Sequence, residues 1–191
     1  NIYKMDSYDE NYCYKDDYVI EKGICEKYIK GTKDRTFKDH KYILYPYDEV
    51  ILDESTISNK FPLAYKYLCD KKEDLATRDK GKTSKYESWY AYGRKQGMMK
   101  KKQGIQIILP LTFLKSRGIH YIEIPSDQNS LVLSGILVDI IPEKFNDFLQ
   151  VISSEDFYKY CELNNKILSD KNRVDDKWLC LTVNTLRKYK Y

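Results

Sequence analysis

Residues Ile105–Ile141 read IQIILPLTFLKSRGIHYIEIPSDQNSLVLSGILVDII and carry the strongest strand signal in the chain. Three runs of apolar and β-branched residues occur here, at Ile105–Pro110, Ile119–Ile124 and Leu131–Ile141. Such runs predict β-strands. Gly135 lies inside the third run, where a glycine is typical of a bulge. This part of the chain is therefore predicted to form a sheet.

Helices are predicted on both sides of this stretch. Pro62 suits a first helical position, and apolar residues at 3.6-type spacing continue to about Arg78. A second helix is predicted from Pro142 to about Ile152. A third is predicted to open at Ser153, with Asp156 in the capping-box position, and to end near Leu163.

Further strands are predicted towards the two ends of the chain and in its centre, at Tyr18–Ile20, Lys41–Pro46, Trp178–Val183 and a short strand around Trp89. Strands in runs with helices between them predict an α+β fold, with mixed and mostly antiparallel sheets and several short helices. At 191 residues and 22.8 kDa, the chain fits one domain spanning residues 1–191.

Tyrosine is the most informative part of the composition. Hydrophobic content is 42%, yet the mean hydropathy is −0.66, and 19 tyrosines reconcile the two values. Tyrosine covers apolar surface while its hydroxyl stays available to a partner, which favours a wet recognition surface. The alternative is that many of these rings are half-buried strand residues.

Cysteine usage and hydropathy indicate a cytoplasmic protein without a membrane span. The five cysteines form no CxxC pair, and neither His40 nor His120 lies at ligand spacing from a cysteine, so reduced thiols are expected and a metal site is not. No run reaches the roughly 18 apolar residues of a membrane span. Because the chain opens on Asn1 within a polar, tyrosine-rich stretch, we expect it to be a fragment of a longer protein.

Positive charge is concentrated in residues 78–102. This stretch holds nine Lys and Arg residues and two acids, a net charge of +7, whereas the whole chain carries only +4. Clustered cations interleaved with aromatic rings are typical of binding to a nucleic acid. The candidate DNA-binding residues are Arg78, Lys80, Lys82, Lys85, Tyr86, Arg94, Lys95, Gln96, Lys100, Lys101 and Lys102. Trp89 is predicted to be largely buried and to anchor the loop that presents Arg94 and Gln96.

The residue types in this stretch suggest different roles. Arginine can bind guanine, and glutamine can bind adenine, through two hydrogen bonds each, which makes Arg94 and Gln96 candidate base readers. The lysines suit phosphates, which fix position but not sequence. Two alternatives stay open, namely a salt bridge from Arg94 to an acid such as Glu87 or Glu123, and a solvated turn for the triplet at 100–102.

Motifs of several enzyme classes are missing. The sequence has no G-x-G-x-x-G, no Walker A loop, no G-x-S-x-G elbow and no Pro-Pro motif of the kind that amino-group methyltransferases use. Two D-x-K triplets, at 70–72 and 175–177, are compatible with a metal-dependent nuclease, because carboxylates can hold a metal beside a lysine. A solvated charged face is the alternative explanation for both triplets.

A set of spaced residues in the central part carries a family resemblance: Tyr45-Pro46-Tyr47-Asp48, Phe61-Pro62, Tyr67-Leu68, Leu75, Arg78, Trp89-Tyr90, Gly93-Arg94, Gln96 and Pro110. In this order they resemble the TaqI-like C-terminal specificity domain of adenine-N6 DNA methyltransferases. Residues 152–158 look like the start of that family's later helix. The family belongs to restriction–modification enzymes, which join methylation, and often cleavage, to recognition in one chain.

The resemblance implies a target recognition domain similar to those of type I specificity subunits. Such a domain grips double-stranded DNA opposite a catalytic domain of the same parent chain, which flips the target adenine and methylates it from S-adenosylmethionine. The fragment itself would hold no cofactor and no metal and would not be an enzyme. Because Arg94 and Trp89 recur in the family across different target sequences, the resemblance implies a structural or phosphate role for both.

The sequence therefore predicts a sequence-specific DNA recognition domain. Two other functions stay open: a free-standing metal-dependent nuclease, and a protein-interaction module of a phage-defence complex, in which the basic stretch meets an acidic protein.

Overall fold

The chain forms two compact units in the computed structural model, which describes residues 1–93, 104–164, 168–169 and 177–188. Unit 1 comprises Asn1–Tyr28 and Lys41–Met98. Unit 2 comprises Ile29–His40 and Met99–Tyr191. Unit 2 is thus assembled from two separate stretches of sequence.

Unit 1 begins with a three-stranded antiparallel sheet made of β1 (Ser7–Tyr8), β2 (Tyr12–Lys15) and β3 (Tyr18–Glu21), in that order. Cys13 of β2 lies opposite Ile20 of β3, and both side chains are completely buried. β4 (Cys25–Lys30) then pairs antiparallel, through residues 25–28, with β5 (Lys41–Leu44). The predicted strands at Tyr18–Ile20 and from Lys41 are confirmed.

Three short helices follow, α1 (Glu54–Lys60), α2 (Pro62–Asp70) and α3 (Lys72–Ala76). Asp53 caps α1 by accepting a hydrogen bond from the Thr56 N–H at 2.7 Å. Pro62 opens α2 as predicted. The Glu21 carboxylate accepts from the N–H groups of Leu63 and Ala64 at 2.8 and 2.9 Å, which satisfies donors that a helix start leaves unpaired. The sequence predicted a single helix from Pro62 to about Arg78, whereas the structure has two helices there, α2 and α3.

Tyrosine fills much of the core of unit 1. Seven of its tyrosines are buried: Tyr3, Tyr28, Tyr42, Tyr45, Tyr47, Tyr67 and Tyr90. A buried phenol needs a partner for its hydroxyl. Tyr67 donates to the Ile2 carbonyl at 2.6 Å, and Tyr90 donates to the Leu52 carbonyl at 2.6 Å. Much of the tyrosine that suggested a recognition surface thus contributes to the core.

Unit 1 is expected to lose stability at alkaline pH. Burial raises the pKa of Tyr3 to about 12 and also raises the pKa of Tyr67 and of Tyr92 above the ordinary value of 10.0. In the unfolded chain these phenols ionise at about pH 10. The stability they contribute is therefore complete below that pH and declines as the pH rises towards the folded-state pKa values.

Urea unfolding at a series of pH values measures this decline, with Trp89 fluorescence reporting unit 1 in a Trp178→Phe background. Tyr67→Phe removes one of the three phenols and is expected to flatten the pH dependence. A free energy of unfolding that stays constant as the pH crosses the ordinary tyrosine pKa would contradict the expectation.

Unit 2 contains β6 (Ile105–Pro110), β7 (Thr112–Leu114), β8 (Ile122–Ile124), β9 (Leu131–Leu133), β10 (Gly135–Ile140), α4 (Phe145–Ile152), α5 (Glu155–Asn164), β11 (Leu168–Ser169), β12 (Lys177–Cys180) and α6 (Val183–Lys188). One sheet has the order β10-β6-β8 and another has the order β11-β12-β7, and these pairings are antiparallel. The α+β fold class with mostly antiparallel sheets is confirmed.

The core of unit 2 lies between β6 and the two helices that follow the sheet. Ile107 and Leu109 of β6 are completely buried, in one cluster with Phe148 of α4 and Phe157 of α5. The Ser154 hydroxyl caps α5 by accepting from the Phe157 N–H at 3.2 Å. The cap predicted at Ser153 is therefore one residue too early.

The predicted strand Leu131–Ile141 is interrupted at Ser134, which has a φ of 53°. Gly135, the next residue, allows its backbone to lie close to the backbone of Gly31. A Cβ at Gly135 would lie 3.0 Å from Ile108 Cγ2 and 3.1 Å from the Gly31 Cα. A side chain at 135 would make contacts tighter than nearly all real Cβ contacts, so its neighbours would have to shift by a few tenths of an ångström.

Gly135→Ala is therefore expected to destabilise unit 2 by about 1–3 kcal/mol, the range for overpacked sites. Ser134→Gly is the matched control, because it relieves a left-handed backbone at the adjacent position and is expected to be neutral or mildly stabilising. The midpoint temperature of thermal unfolding is expected to fall for Gly135→Ala, and to rise slightly or stay the same for Ser134→Gly. An alanine at 135 without cost would show that the two backbones can separate freely.

Among the helices of the described residues, none is both long enough and apolar enough to cross a membrane.

Candidate functional site

The described part of the basic sequence is Arg78–Gly93, here called the basic segment, and it belongs to unit 1. It begins with a tight left-handed turn in which Asp79, Lys80 and Gly81 have φ values of 48°, 61° and 77°. Left-handed geometry costs about 1–2 kcal/mol for each residue other than glycine. Other contacts must therefore hold the turn in place.

Arg78 provides the main contacts. Its Nε donates to the Leu75 carbonyl at 2.8 Å, and its Nη2 donates to the Trp89 carbonyl at 2.8 Å. Its Nη1 donates to the Tyr3 hydroxyl at 2.7 Å and to the Ala91 carbonyl at 2.8 Å. The guanidinium therefore joins the end of α3 to both the N-terminal region and the far end of the basic segment.

Two tyrosine rings flank the same guanidinium. The Arg78 Cζ lies 5.7 Å from the ring centre of Tyr3 and 5.1 Å from that of Tyr86, within the range of cation–π attraction. The positive charge of Arg78 opposes the upward pKa shift that burial produces in Tyr3. In the structure Arg78 is thus a half-buried residue engaged by protein groups, although the sequence made it a DNA-binding candidate.

Tyr86 closes the turn from the other side. Its hydroxyl donates to the Asp79 carboxylate. A Cβ at Gly93 would lie 2.6 Å from the Tyr86 hydroxyl oxygen and 3.0 Å from Asp79 Oδ2, so the backbone at Gly93 also packs against this pair. Tyr86 is half-buried, and its hydroxyl holds the turn.

Three exposed lysines lie in the held turn or directly after it. Lys80, Lys82 and Lys85 are exposed, and none of them has an ion-pair partner among the residues that the structure describes. Cations without protein partners remain available to an anion in solution. The structure thus brings three of the predicted DNA-binding side chains together on one short segment. Arg94, Lys95, Gln96, Lys100, Lys101 and Lys102 lie outside the described residues.

Trp89 and Tyr90 fix the far end of the segment. Trp89 is half-buried, its Nε1 donates to Glu54 Oε1 at 2.8 Å, and Lys72 Nζ lies 4.7 Å from its ring centre. The more deeply buried anchor is Tyr90, which is 2% exposed. The short strand predicted around Trp89 is wrong, because residues 86–91 form bends and turns held by side chains. The predicted link from Trp89 to Arg94 and Gln96 concerns residues outside the described part.

The D-x-K triplet at 70–72 lies at the end of α2, where Asp70 contacts the Tyr18 hydroxyl and Lys71 Nζ lies 5.7 Å from the Tyr18 ring centre. Within the described ranges, no group of three His, Cys, Asp or Glu side chains could hold a metal ion. Asp175 and Asp176 of the other triplet lie outside them.

Sequence reasoning missed a polar site in unit 2, made by Arg35, Arg117 and His120. The sequence indicated for His120 only that it does not lie at ligand spacing from a cysteine. No local sequence pattern indicates this site, because Arg35 is far from Arg117 and His120 in the sequence. A larger cavity of unit 2, about 570 Å³, runs beside β10 and is lined mainly by apolar side chains.

Comparisons with family models, with curated proteins and with solved structures find no match to this chain. The resemblance to the TaqI-like specificity domain therefore stays a prediction.

Proposed function

We propose that this chain is a sequence-specific double-stranded DNA recognition domain of an adenine-N6 DNA methyltransferase of the restriction–modification type. In this proposal a catalytic domain of the same parent chain binds S-adenosylmethionine and methylates the adenine that the recognition domain positions. The parent enzyme carries any endonuclease activity. The chain described here holds no cofactor and has no catalysis of its own.

One observation carries the proposal: three exposed lysines without ion-pair partners in the described residues lie in, or within four residues after, a turn that Arg78 and Tyr86 hold in place. A held turn loses little conformational freedom on binding, which favours contact with a fixed row of phosphates. The sequence adds five more cations and no acid within residues 94–102.

The location proposed for the protein is the cytoplasm of a bacterial-type cell, where restriction–modification enzymes meet DNA. The cysteines that the structure describes are free thiols, which suits a reducing compartment.

Replacing Lys80, Lys82 and Lys85 together by glutamine is expected to weaken binding to duplex DNA equally for unrelated sequences. It should also reduce the slope of log Kd against log salt by up to about 0.9 for each phosphate that is no longer neutralised. Fluorescence anisotropy with two unrelated duplexes over a salt series measures both quantities.

The matched control is the triple glutamine variant at Lys60, Lys66 and Lys159, three exposed lysines outside the basic segment. The two triple variants have the same net charge, so the control removes the effect of total charge. An equal change of slope in both variants, or no change in either, would remove the basic segment from the DNA contact. Binding of heparin but not of duplex DNA would favour an acidic protein partner instead.

A further inference from the structure

A small polar pocket of about 50 Å³ lies in unit 2, lined by the segment after β4, by β7 and by the segment that follows β7. Its polar lining consists of Thr32, Arg35, Thr112, Arg117 and His120. Two arginines, a histidine and two threonines therefore line a space large enough for at least one water-sized group.

No acidic side chain lines this pocket. Asp39 is close in sequence, but its carboxylate accepts from the backbone N–H groups of Arg35 and Thr36, both at 2.8 Å. Neither Arg35 nor Arg117 has an ion-pair partner among the residues that the structure describes. Both arginines are exposed, so water screens their mutual repulsion in part, and an anion between them would lower it further.

His120 adds a hydrogen-bond partner without adding positive charge. Burial, and secondarily the charge of Arg35, lower the pKa of His120, so the imidazole is neutral near neutral pH. The Arg35 Nη1 lies 3.1 Å from both ring nitrogens, and a neutral imidazole can accept its hydrogen bond. This hydrogen bond orients the guanidinium and leaves its Nε and Nη2 donors with no protein acceptor in the described part of the chain.

We propose that this pocket binds a phosphate-type oxyanion. Planar guanidinium groups match the oxygens of a phosphate through paired hydrogen bonds, and threonine hydroxyls add neutral donors. Phe113 and Leu114, which are buried, also line the pocket. The site shares no residue with the basic segment, so it stands independently of the proposed DNA recognition.

The two histidines of the chain allow a direct test by NMR. Imidazole ¹H–¹⁵N spectra of the whole chain are recorded while inorganic phosphate is added, with potassium chloride at equal ionic strength as the reference. The His120 signals are expected to shift and saturate at millimolar phosphate. The signals of His40, which does not line the pocket, serve as the internal reference.

Arg117→Gln is expected to weaken phosphate binding by about tenfold or more, as for the removal of a hydrogen bond between charged groups. Thr112→Val retains the shape and the charge, and is expected to weaken binding severalfold. Lys38→Gln, at an exposed lysine of the same unit outside the pocket, should change the affinity less than about twofold, as surface substitutions do.

A phosphodiester and a free phosphate would use the same pocket chemistry, so a duplex DNA arm distinguishes them. Saturation of the His120 shift by duplex at lower concentration than by phosphate assigns the site to a nucleic-acid backbone, and a response to phosphate alone assigns it to a small phosphorylated ligand. No saturable shift with either, or an equal decrease of affinity in Lys38→Gln and Arg117→Gln, would overturn the proposal. A failure of DNA binding by the basic segment would leave the phosphate response intact.

Discussion

Replacement of Arg78 by glutamine is expected to lower the free energy of unfolding of unit 1 by about 3 kcal/mol or more. Three backbone carbonyls and the Tyr3 hydroxyl lose a charged donor at once, since the glutamine amide cannot span acceptors on three sides. The left-handed turn at Asp79–Gly81 loses its support in the same step. Urea unfolding monitored by Trp89 fluorescence in a Trp178→Phe background measures the decrease.

Two further variants separate geometry from charge. Arg78→Lys keeps the positive charge but offers one compact ammonium, and is expected to recover only a small part of the missing stability. Lys82→Gln removes an exposed charge from the same segment and should stay within about 0.5 kcal/mol of the wild type. If Arg78→Gln unfolded like the wild type and only DNA binding weakened, Arg78 would be a ligand contact and its structural role would be wrong.

Replacement of Tyr67 by alanine is expected to destabilise unit 1 by about 3–5 kcal/mol, as for other large buried rings. The Tyr67 side chain is completely buried, and its ring meets that of Tyr18 edge-on with centres 5.0 Å apart. Its hydroxyl also fastens the N-terminal segment through the Ile2 carbonyl. The cavity that the ring would leave and the loss of this hydrogen bond both lower the free energy of unfolding.

Tyr67→Phe divides this cost into its two parts. It keeps the ring and removes only the hydroxyl, so about 1 kcal/mol is expected, the usual net value of one hydrogen bond. Tyr12→Ala, at a tyrosine that is 39% exposed, is the control and should cost less than about 1 kcal/mol. Equal destabilisation by Tyr67→Ala and Tyr67→Phe would mean that the ring contributes nothing and that the hydroxyl alone holds the N-terminal segment.

Local patterns in the sequence were sufficient to predict the fold class and several elements. Ile105–Pro110 is a strand because consecutive apolar residues are buried on both faces of the sheet, and Pro62 begins a helix because its φ suits that position. Helix α1 was missed because its sequence contains a single buried residue, Ile57, and hence no apolar face. Its Asp53 cap was the available signal.

The candidate site was only partly predictable. Composition identified the lysines of the basic segment, because a charge cluster is a property of sequence alone. The role of Arg78 depends on carbonyls at 75, 89 and 91, and the last two lie in turns and bends that no periodicity encodes. The pocket of Arg35 and His120 depends on two residues that are 85 positions apart. A single sequence contains no sign that such residues meet.

The discontinuity of unit 2 affects the order in which the chain can fold during synthesis. Ile29 is completely buried in a cluster with Ile108, Ile122 and Ile124, yet all of residues 41–98 are made between Ile29 and these partners. The ribosome therefore completes the sequence of unit 1 before the partners of Ile29 are made. Until then the Ile29 side chain, in the segment 29–40, stays exposed to solvent. A nascent chain that pauses near residue 98 would expose Ile29 without its later partners, and exposed apolar surface of this kind favours aggregation.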